Sequence, residues 1–213
     1  MCSIVGSFSK NKFKELIGIN QHRGSFSYSF LVWNIDTMQI DTLIQSFGEF
    51  PLNIVDSAHS GDNIFYLGHT QAPTGGLVKD TNRIHPARVN KSFLFHNGII
   101  KQKDITRLKD ESLKTSENWD SLLMLMEIQS KGLNNTLNTI DGSFACIYND
   151  NISVKLFRSA AGILFVDQDL NISSTKFNNS IRIDKDKVFN LNFKDKTLDT
   201  DSDFKSKSAP YFY

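Results

Sequence analysis

The second residue of the chain is a cysteine behind an initiator Met1, and Met1 is ordinarily trimmed when the next side chain is small. Trimming leaves Cys2 with its own α-amine beside its thiol, a nucleophile that carries its own base. A free α-amine titrates near roughly 7.7–8.0 and a thiol near roughly 8.5, so at neutral pH the two exchange a proton directly or through one water. Taken alone, Cys2 reads better as a small apolar residue opening a buried strand. The alternative gains weight from small glycine-bearing motifs behind it: H-R-G at 22–24, G-H-T-Q-A-P-T-G-G at 68–76, I-H-P-A at 84–87, H-N-G-I-I at 96–100 and D-G-S-F-A at 141–145. Cys146, in F-A-C-I-Y, reads as an inert core thiol. The five histidines are scattered without ligand spacing and no C-x-x-C pair occurs, so neither a structural metal nor a disulfide is expected.

The elements that must position these residues are mostly strands. Short apolar or alternating runs predict strands at 2–9, 26–35, 63–68, 91–95, 143–149, 152–158, 163–167 and 187–193, with hairpins dominating the C-terminal half. Phe13, Leu16, Ile17 and Asn20 fall at helical spacing. A clear helix begins near Ser116 or Asn118, carries Trp119, Leu122, Leu123 and Met126 on one face, and ends before Gly132. Shorter helical segments are expected over 101–109 and from Asn134 toward Ile140. Many strands with few helices, out of strict alternation, argue for an α+β protein over a doubly wound parallel sheet. Its 213 residues, 39% of them hydrophobic with 17 Phe, are enough for a sizeable core and suit one compact domain.

Charge narrows the function classes. Twenty-four Lys and Arg against 23 Asp and Glu leave a net charge of +1, with no basic surplus for a phosphate backbone, so nucleic-acid binding is not expected. The first ten residues lack a secretory leader, and no apolar stretch approaches the roughly 18 residues of a membrane span. A cytoplasmic protein without membrane association is expected. Lys outnumbers Arg by 18 to 6, a composition suited to an AT-rich genome such as that of a phage or a low-GC bacterium, which would make the location the host cytoplasm if phage-encoded.

Together and in this order the motifs resemble the class II, N-terminal nucleophile glutamine amidotransferase domain of glucosamine-6-phosphate synthase, amidophosphoribosyltransferase and asparagine synthetase B, over residues 2–195. C-S-I-V-G is similar to the family opening C-G-I-x-G, P-T-G-G resembles P-T-A-G, and F-R-S-A-A-G-I-L at 157–164 with N-I-S-S-T-K at 171–176 resembles the strands that close the domain. The resemblance implies a four-layer αββα sandwich with two stacked antiparallel sheets flanked by helices. It also implies Cys2 at the end of a central strand and no cofactor. Residues 196–213 read as a tail, polar at first and abruptly aromatic in A-P-Y-F-Y.

Roles follow from the chemistry of amide attack. Negative charge develops on the carboxamide oxygen, and Asn97 with the Gly98 backbone N–H can supply two donors to it. An N-G pair is also a common hairpin turn. Arg23 resembles the arginine that positions the nucleophile's amine, with Gly24 permitting a tight turn beside it. Asp120, in W-D-S-L-L, is similar to the family's D-T-E or D-S-E aspartate that holds the substrate's α-ammonium, although an acid at a helix start is also an ordinary stabiliser. Thr74, in P-T-G-G, joins the substrate-binding set. The α-amine already supplies the base, so the histidines are left out of the mechanism.

One departure affects the substrate. Where the family places an arginine after H-T to clamp the α-carboxylate of glutamine, this chain has Gln71, a neutral amide. Arg83 and Arg88 lie near in sequence as replacements. The leading expectation is a stand-alone subunit that hydrolyses glutamine to glutamate and ammonia through a Cys2 thioester and passes the ammonia to a synthase on a separate chain. The alternatives are the same chemistry on a different small amide, and a non-catalytic regulatory subunit.

Overall fold

The computed structural model describes residues 2–72 and 79–207. Among these, the strands are β1 (Ser3–Ser7), β2 (Ser27–Asn34), β3 (Gln39–Phe47), β4 (Ile64–Gln71), β5 (Ala87–Val89), β6 (Ser92–Ile100), β7 (Gly142–Asn149), β8 (Val154–Arg158), β9 (Phe165–Val166), β10 (Ile172–Ser173), β11 (Ile181–Arg182), β12 (Lys187–Asn192) and β13 (Thr197–Asp203). The α-helices are α1 (Lys10–Asn20), α2 (Asn53–Ser57), α3 (Gln102–Thr106), α4 (Asp120–Lys131) and α5 (Leu133–Thr139). The chain divides into two compact units, each built from stretches distant in sequence. The first comprises Met1–His85, Leu164–Ile183 and Asn192–Thr197; the second comprises Pro86–Ile163, Asp184–Leu191 and Leu198–Tyr213.

The first unit holds a seven-stranded sheet in the order β11-β9-β10-β1-β4-β2-β3. β1 runs antiparallel between β4 and β10, and all five of its residues are buried. Helix α1 starts where the Ser9 hydroxyl accepts the Lys12 N–H at 3.3 Å, and the four residues at helical spacing, Phe13, Leu16, Ile17 and Asn20, are its buried ones. Phe13 meets Phe30, Phe50 and Tyr66 at centroid distances of 5.4, 6.0 and 6.1 Å. Burying such a ring contributes about 1.5–3 kcal/mol. Gly68 in β4 admits this approach, because a Cβ there would stand 2.7 Å from the Phe13 ring. Asn20 is buried without loss of hydrogen bonds: its amide donates to Leu16 O and Ser173 Oγ, and its Oδ1 accepts from Thr175.

The second unit holds a six-stranded sheet in the order β13-β12-β8-β7-β6-β5. Its core joins Leu94, Phe144, Cys146 and Phe157 to Leu123, Met124 and Ile128 of α4. The helix is wrapped more fully than a single apolar face allows: Leu123, Met124, Leu125, Glu127 and Ile128 are buried, while Leu122 and Met126 are only half-buried. It begins at Asp120, later than Ser116 or Asn118. The helix expected over 101–109 is α3 followed by a π-helical turn at Arg107–Ser112. Residues 197–203, expected to open a tail, form β13 instead. Phe204 after it is buried and stacks on Phe144 at 6.2 Å, and Lys205 N–H donates to Asn138 Oδ1 at 2.8 Å. The aromatic end lies outside the described residues. Among the described residues, no helix is long and apolar enough to cross a membrane.

Three acids are buried in this unit, each with cationic partners. Glu127 pairs with Lys131 at 3.0 Å and Arg107 at 3.7 Å, Asp104 with Arg107 at 3.0 Å, and Asp141 with Lys101 at 2.8 Å and Lys103 at 2.9 Å. Burial pushes the Asp141 carboxyl up, but the hydrogen bonds and charges of Lys101 and Lys103 outweigh it and hold the group below the usual carboxylate range. Its folded pKa lies below the unfolded value near roughly 3.9, so its contribution to stability is complete above that value and lost as pH falls through the folded one. Asp141→Asn is therefore expected to lower stability at neutral pH and to flatten the acid limb of a denaturation series below about pH 4. An acid limb of unchanged steepness would count against this.

Candidate active site

Cys2 immediately precedes the central strand β1, as the sequence resemblance implied, and it is half-buried. Its Sγ lies 3.7 Å from Ala72 O, just past the end of β4, and its own carbonyl accepts the Arg23 Nε–H at 3.0 Å. Gly24 is needed here for clearance: a Cβ on it would stand 2.5 Å from the Gln71 carbonyl carbon and 2.8 Å from its oxygen. Three motifs separated in sequence, C-S-I-V-G, H-R-G and H-T-Q-A, thus meet at one corner of the first unit. Gln71, the last residue of β4, belongs to the same corner, and its Oε1 accepts the Ser27 hydroxyl at 2.8 Å. Ser27 had no signal in the sequence beyond its place in a strand. Arg83 pairs with Asp80 at 3.6 Å, and Arg88 is exposed on β5. Thr74 lies outside the described residues.

In the second unit, Asn97 and Gly98 are not a turn. They lie within β6, opposite Ala145 and Phe144 of β7, and Asn97 is buried. A Cβ on Gly98 would fall on the Ser143 carbonyl oxygen, so the strand pairing itself requires glycine. Asp120 opens α4 close to the same strand. Its Oδ1 accepts the Ser121 N–H at 2.7 Å and the Ser121 hydroxyl at 3.2 Å, while its Oδ2 lies 3.5 Å from Ile100 N. Asn97, Gly98 and Asp120 are thus held on adjoining elements of one unit, and Cys2, Arg23 and Gln71 at one corner of the other.

His96, beside Asn97, is fully buried with its Nδ1 2.9 Å from Ser121 Oγ. Burial lowers its pKa, against a smaller opposing pull from the Asp120 charge. Cys146, opposite His96 in the strand register, is buried, and burial with the Asp120 charge pushes its thiol well up. That suits an inert core cysteine. Arg158 is also buried, and its Nη1 donates to the carbonyls of Ser159, Ala160 and Gly162, tying the F-R-S-A-A-G turn to the end of β8. Nothing in the local pattern distinguishes this arginine from a surface one.

No protein-family model and no curated protein matches the sequence. Solved structures do. A glutamine phosphoribosylpyrophosphate amidotransferase from B. subtilis, complexed with ADP and GMP, aligns over 94% of this chain with a TM-score of 0.64 at 14% identity. The fold is amidotransferase-like. A structure described as the allosteric regulatory enzyme of purine biosynthesis aligns over 94% of this chain with a TM-score of 0.68, also at 14% identity. The chain spans about half the length of each, 49% and 48%. The amidotransferase-like fold is the α+β, αββα class of the N-terminal nucleophile type expected from the motifs, with two antiparallel sheets and their helices.

Proposed function

We propose that this chain is an N-terminal nucleophile amidotransferase subunit that hydrolyses glutamine. The observation that carries the reading is the corner at β1, where Arg23 grips the carbonyl of Cys2 beside Gly24, Gln71 and Ala72 in an amidotransferase-like fold. With Met1 removed, the α-amine of Cys2 takes the thiol proton, and the thiolate attacks the carboxamide carbon. The oxygen becomes an oxyanion, for which Asn97 and the Gly98 N–H are the proposed donors. Collapse expels ammonia, which carries away the proton held by the amine, and leaves a thioester on Cys2. Water then adds to the thioester and releases glutamate and the free thiol. Asp120 holds the substrate's α-ammonium, Thr74 joins the substrate contacts, and the ammonia passes to an acceptor enzyme on a separate chain.

Gln71 favours a second reading, the same chemistry on a different amide. Its amide oxygen is occupied by Ser27 and it brings no charge to an α-carboxylate. A hydrogen bond to a charged group contributes about 1.5–3 kcal/mol against about 0.5–1.5 for a neutral one, and 1.4 kcal/mol is a factor of ten. Gln71→Arg is therefore expected to lower KM for glutamine by about tenfold. The deciding experiment measures glutamate release by the parent, Gln71→Arg, Arg83→Ala and Arg88→Ala beside a simple carboxamide. Equal turnover of that amide and glutamine in every variant defeats the glutaminase reading and leaves the second one. Tight glutamine binding lost in Arg83→Ala or Arg88→Ala shows instead that the carboxylate clamp has moved.

A further inference from the structure

We propose that His96 and Ser121 are positioning residues that aim the Asp120 carboxylate at the substrate's α-ammonium, a role that rests on the amidotransferase reading of Asp120. The three side chains form a relay inside the second unit. His96 Nδ1 lies 2.9 Å from Ser121 Oγ, and Ser121 Oγ lies 3.2 Å from Asp120 Oδ1. The direction of the relay follows from the protons available. A carboxylate only accepts, so the single hydroxyl proton of Ser121 goes to Asp120, and Ser121 Oγ must accept from a protonated His96 Nδ1. This sets the tautomer of the buried imidazole.

The consequence for Asp120 is asymmetric. Oδ1 takes two donors from Ser121, the N–H at 2.7 Å and the hydroxyl, whereas the Ile100 N–H stands off Oδ2 at 3.5 Å, beyond a good hydrogen bond. Oδ2, 3.5 Å from the Ile100 N–H and 3.9 Å from His96 Nδ1, is the less firmly held oxygen and the one proposed to meet the cation. A helix-start acid acting only as a stabiliser needs the N–H groups of its own first turn and no buried imidazole, whose side chain here is 1% exposed. The relay also joins the two ends of a substrate. His96 is the neighbour of Asn97 on β6, so the proposed oxyanion donor and the anchor of Asp120 ride on consecutive residues of one strand. Their separation is set by how α4 docks on β6, which suits an amide carrying its amine at a fixed distance. Asp120 and Cys146 are the titratable groups that act on His96 or lie opposite it. Burial lowers the pKa of the imidazole, against a smaller pull from the Asp120 charge, and raises that of the Cys146 thiol, which disfavours a charge on either.

The test compares glutamine with glutaramate, which keeps the carboxamide and carboxylate but lacks the amine. In Ser121→Ala and His96→Leu, the ratio of kcat/KM for glutamine to that for glutaramate is expected to fall by about tenfold, mainly through KM for glutamine. His96→Asn, whose amide N–H sits where Nδ1–H was, is expected to restore the ratio to within about twofold of the parent. Damage to the fold lowers both substrates together and leaves the ratio alone. A parent that prefers glutamine, with a Ser121→Ala variant that keeps the same preference, overturns the proposal and spares the amidotransferase reading. A parent without any preference overturns both. The imidazole nitrogen NMR signals of the parent provide a readout independent of turnover: a neutral, Nδ1-protonated ring supports the relay, and an Nε2-protonated ring overturns it.

Discussion

Cys2→Ala is expected to leave no measurable amide hydrolysis, a loss on the order of 10⁶-fold in kcat if it follows other covalent mechanisms stripped of their nucleophile. The size of the effect follows from the chemistry. Without the thiol there is no thioester, and a lone α-amine is left beside a methyl group. The structure also separates this loss from misfolding, because Arg23 holds Cys2 through its main-chain carbonyl, a bond that alanine keeps. Cys2→Ser probes the same point more finely, since its hydroxyl is far less acidic than a thiol and the amine is too weak a base to ionise it. A protein that retains Met1 is expected to be as inactive as Cys2→Ala, because the nitrogen of Cys2 is then an amide that cannot accept a proton. Intact-mass measurement on the same samples reports whether Met1 is present and whether a glutamine-mimicking electrophile has added to Cys2. Substantial turnover by Cys2→Ala, or an adduct on another residue, would remove Cys2 from the mechanism.

Local pattern made some of this molecule legible and could not reach the rest. Helix α1 was readable because Phe13, Leu16, Ile17 and Asn20 repeat at the helical period and all four turn inward. Strand β3 was not, since it is the edge of its sheet, half-exposed along its length, and its polar residues break the run that marks a buried strand. Strand β6 was legible only as far as Phe95, because N-G is a turn signal by composition. The chain runs straight through Asn97 and Gly98 for a reason that lies in another segment, the Ser143 carbonyl against which only glycine fits. Gly24 against Gln71 is the same kind of constraint. Residues 197–203 looked like a tail because strand Thr197–Asp203 is mostly exposed and acidic, yet the buried Phe204 behind it closes on Phe144. Of the site, residue types and order were legible, while partners such as Ser27 for Gln71 and Ser121 for His96 and Asp120 depend on tertiary contacts that spacing does not encode.

Asn97→Ala is expected to lower kcat by about 10²–10³, or about 2.7–4 kcal/mol, with KM for glutamine changed much less. In its proposed role the amide donates to charge that is small in the bound substrate and large in the tetrahedral intermediate, so its removal is expected to act mainly on the barrier. Position in the fold supports reading such a loss as chemical. Asn97 sits within β6 opposite Ala145, and the antiparallel ladder to β7 uses main-chain groups that alanine also has. The Gly98 N–H is untouched by the substitution, so some oxyanion stabilisation is expected to survive, and the variant should remain measurably faster than Cys2→Ala. Asp120→Asn provides the contrast: an α-ammonium is charged throughout the reaction, so loss of its carboxylate raises KM and leaves kcat near the parent value. Steady-state kinetics on the two variants, run beside a denaturation measurement, separate a donor to the transition state from a contact to the ground state. An Asn97→Ala enzyme with parental kcat and a raised KM would make Asn97 a substrate contact, and the search for the oxyanion donor would return to the other main-chain N–H groups of the site.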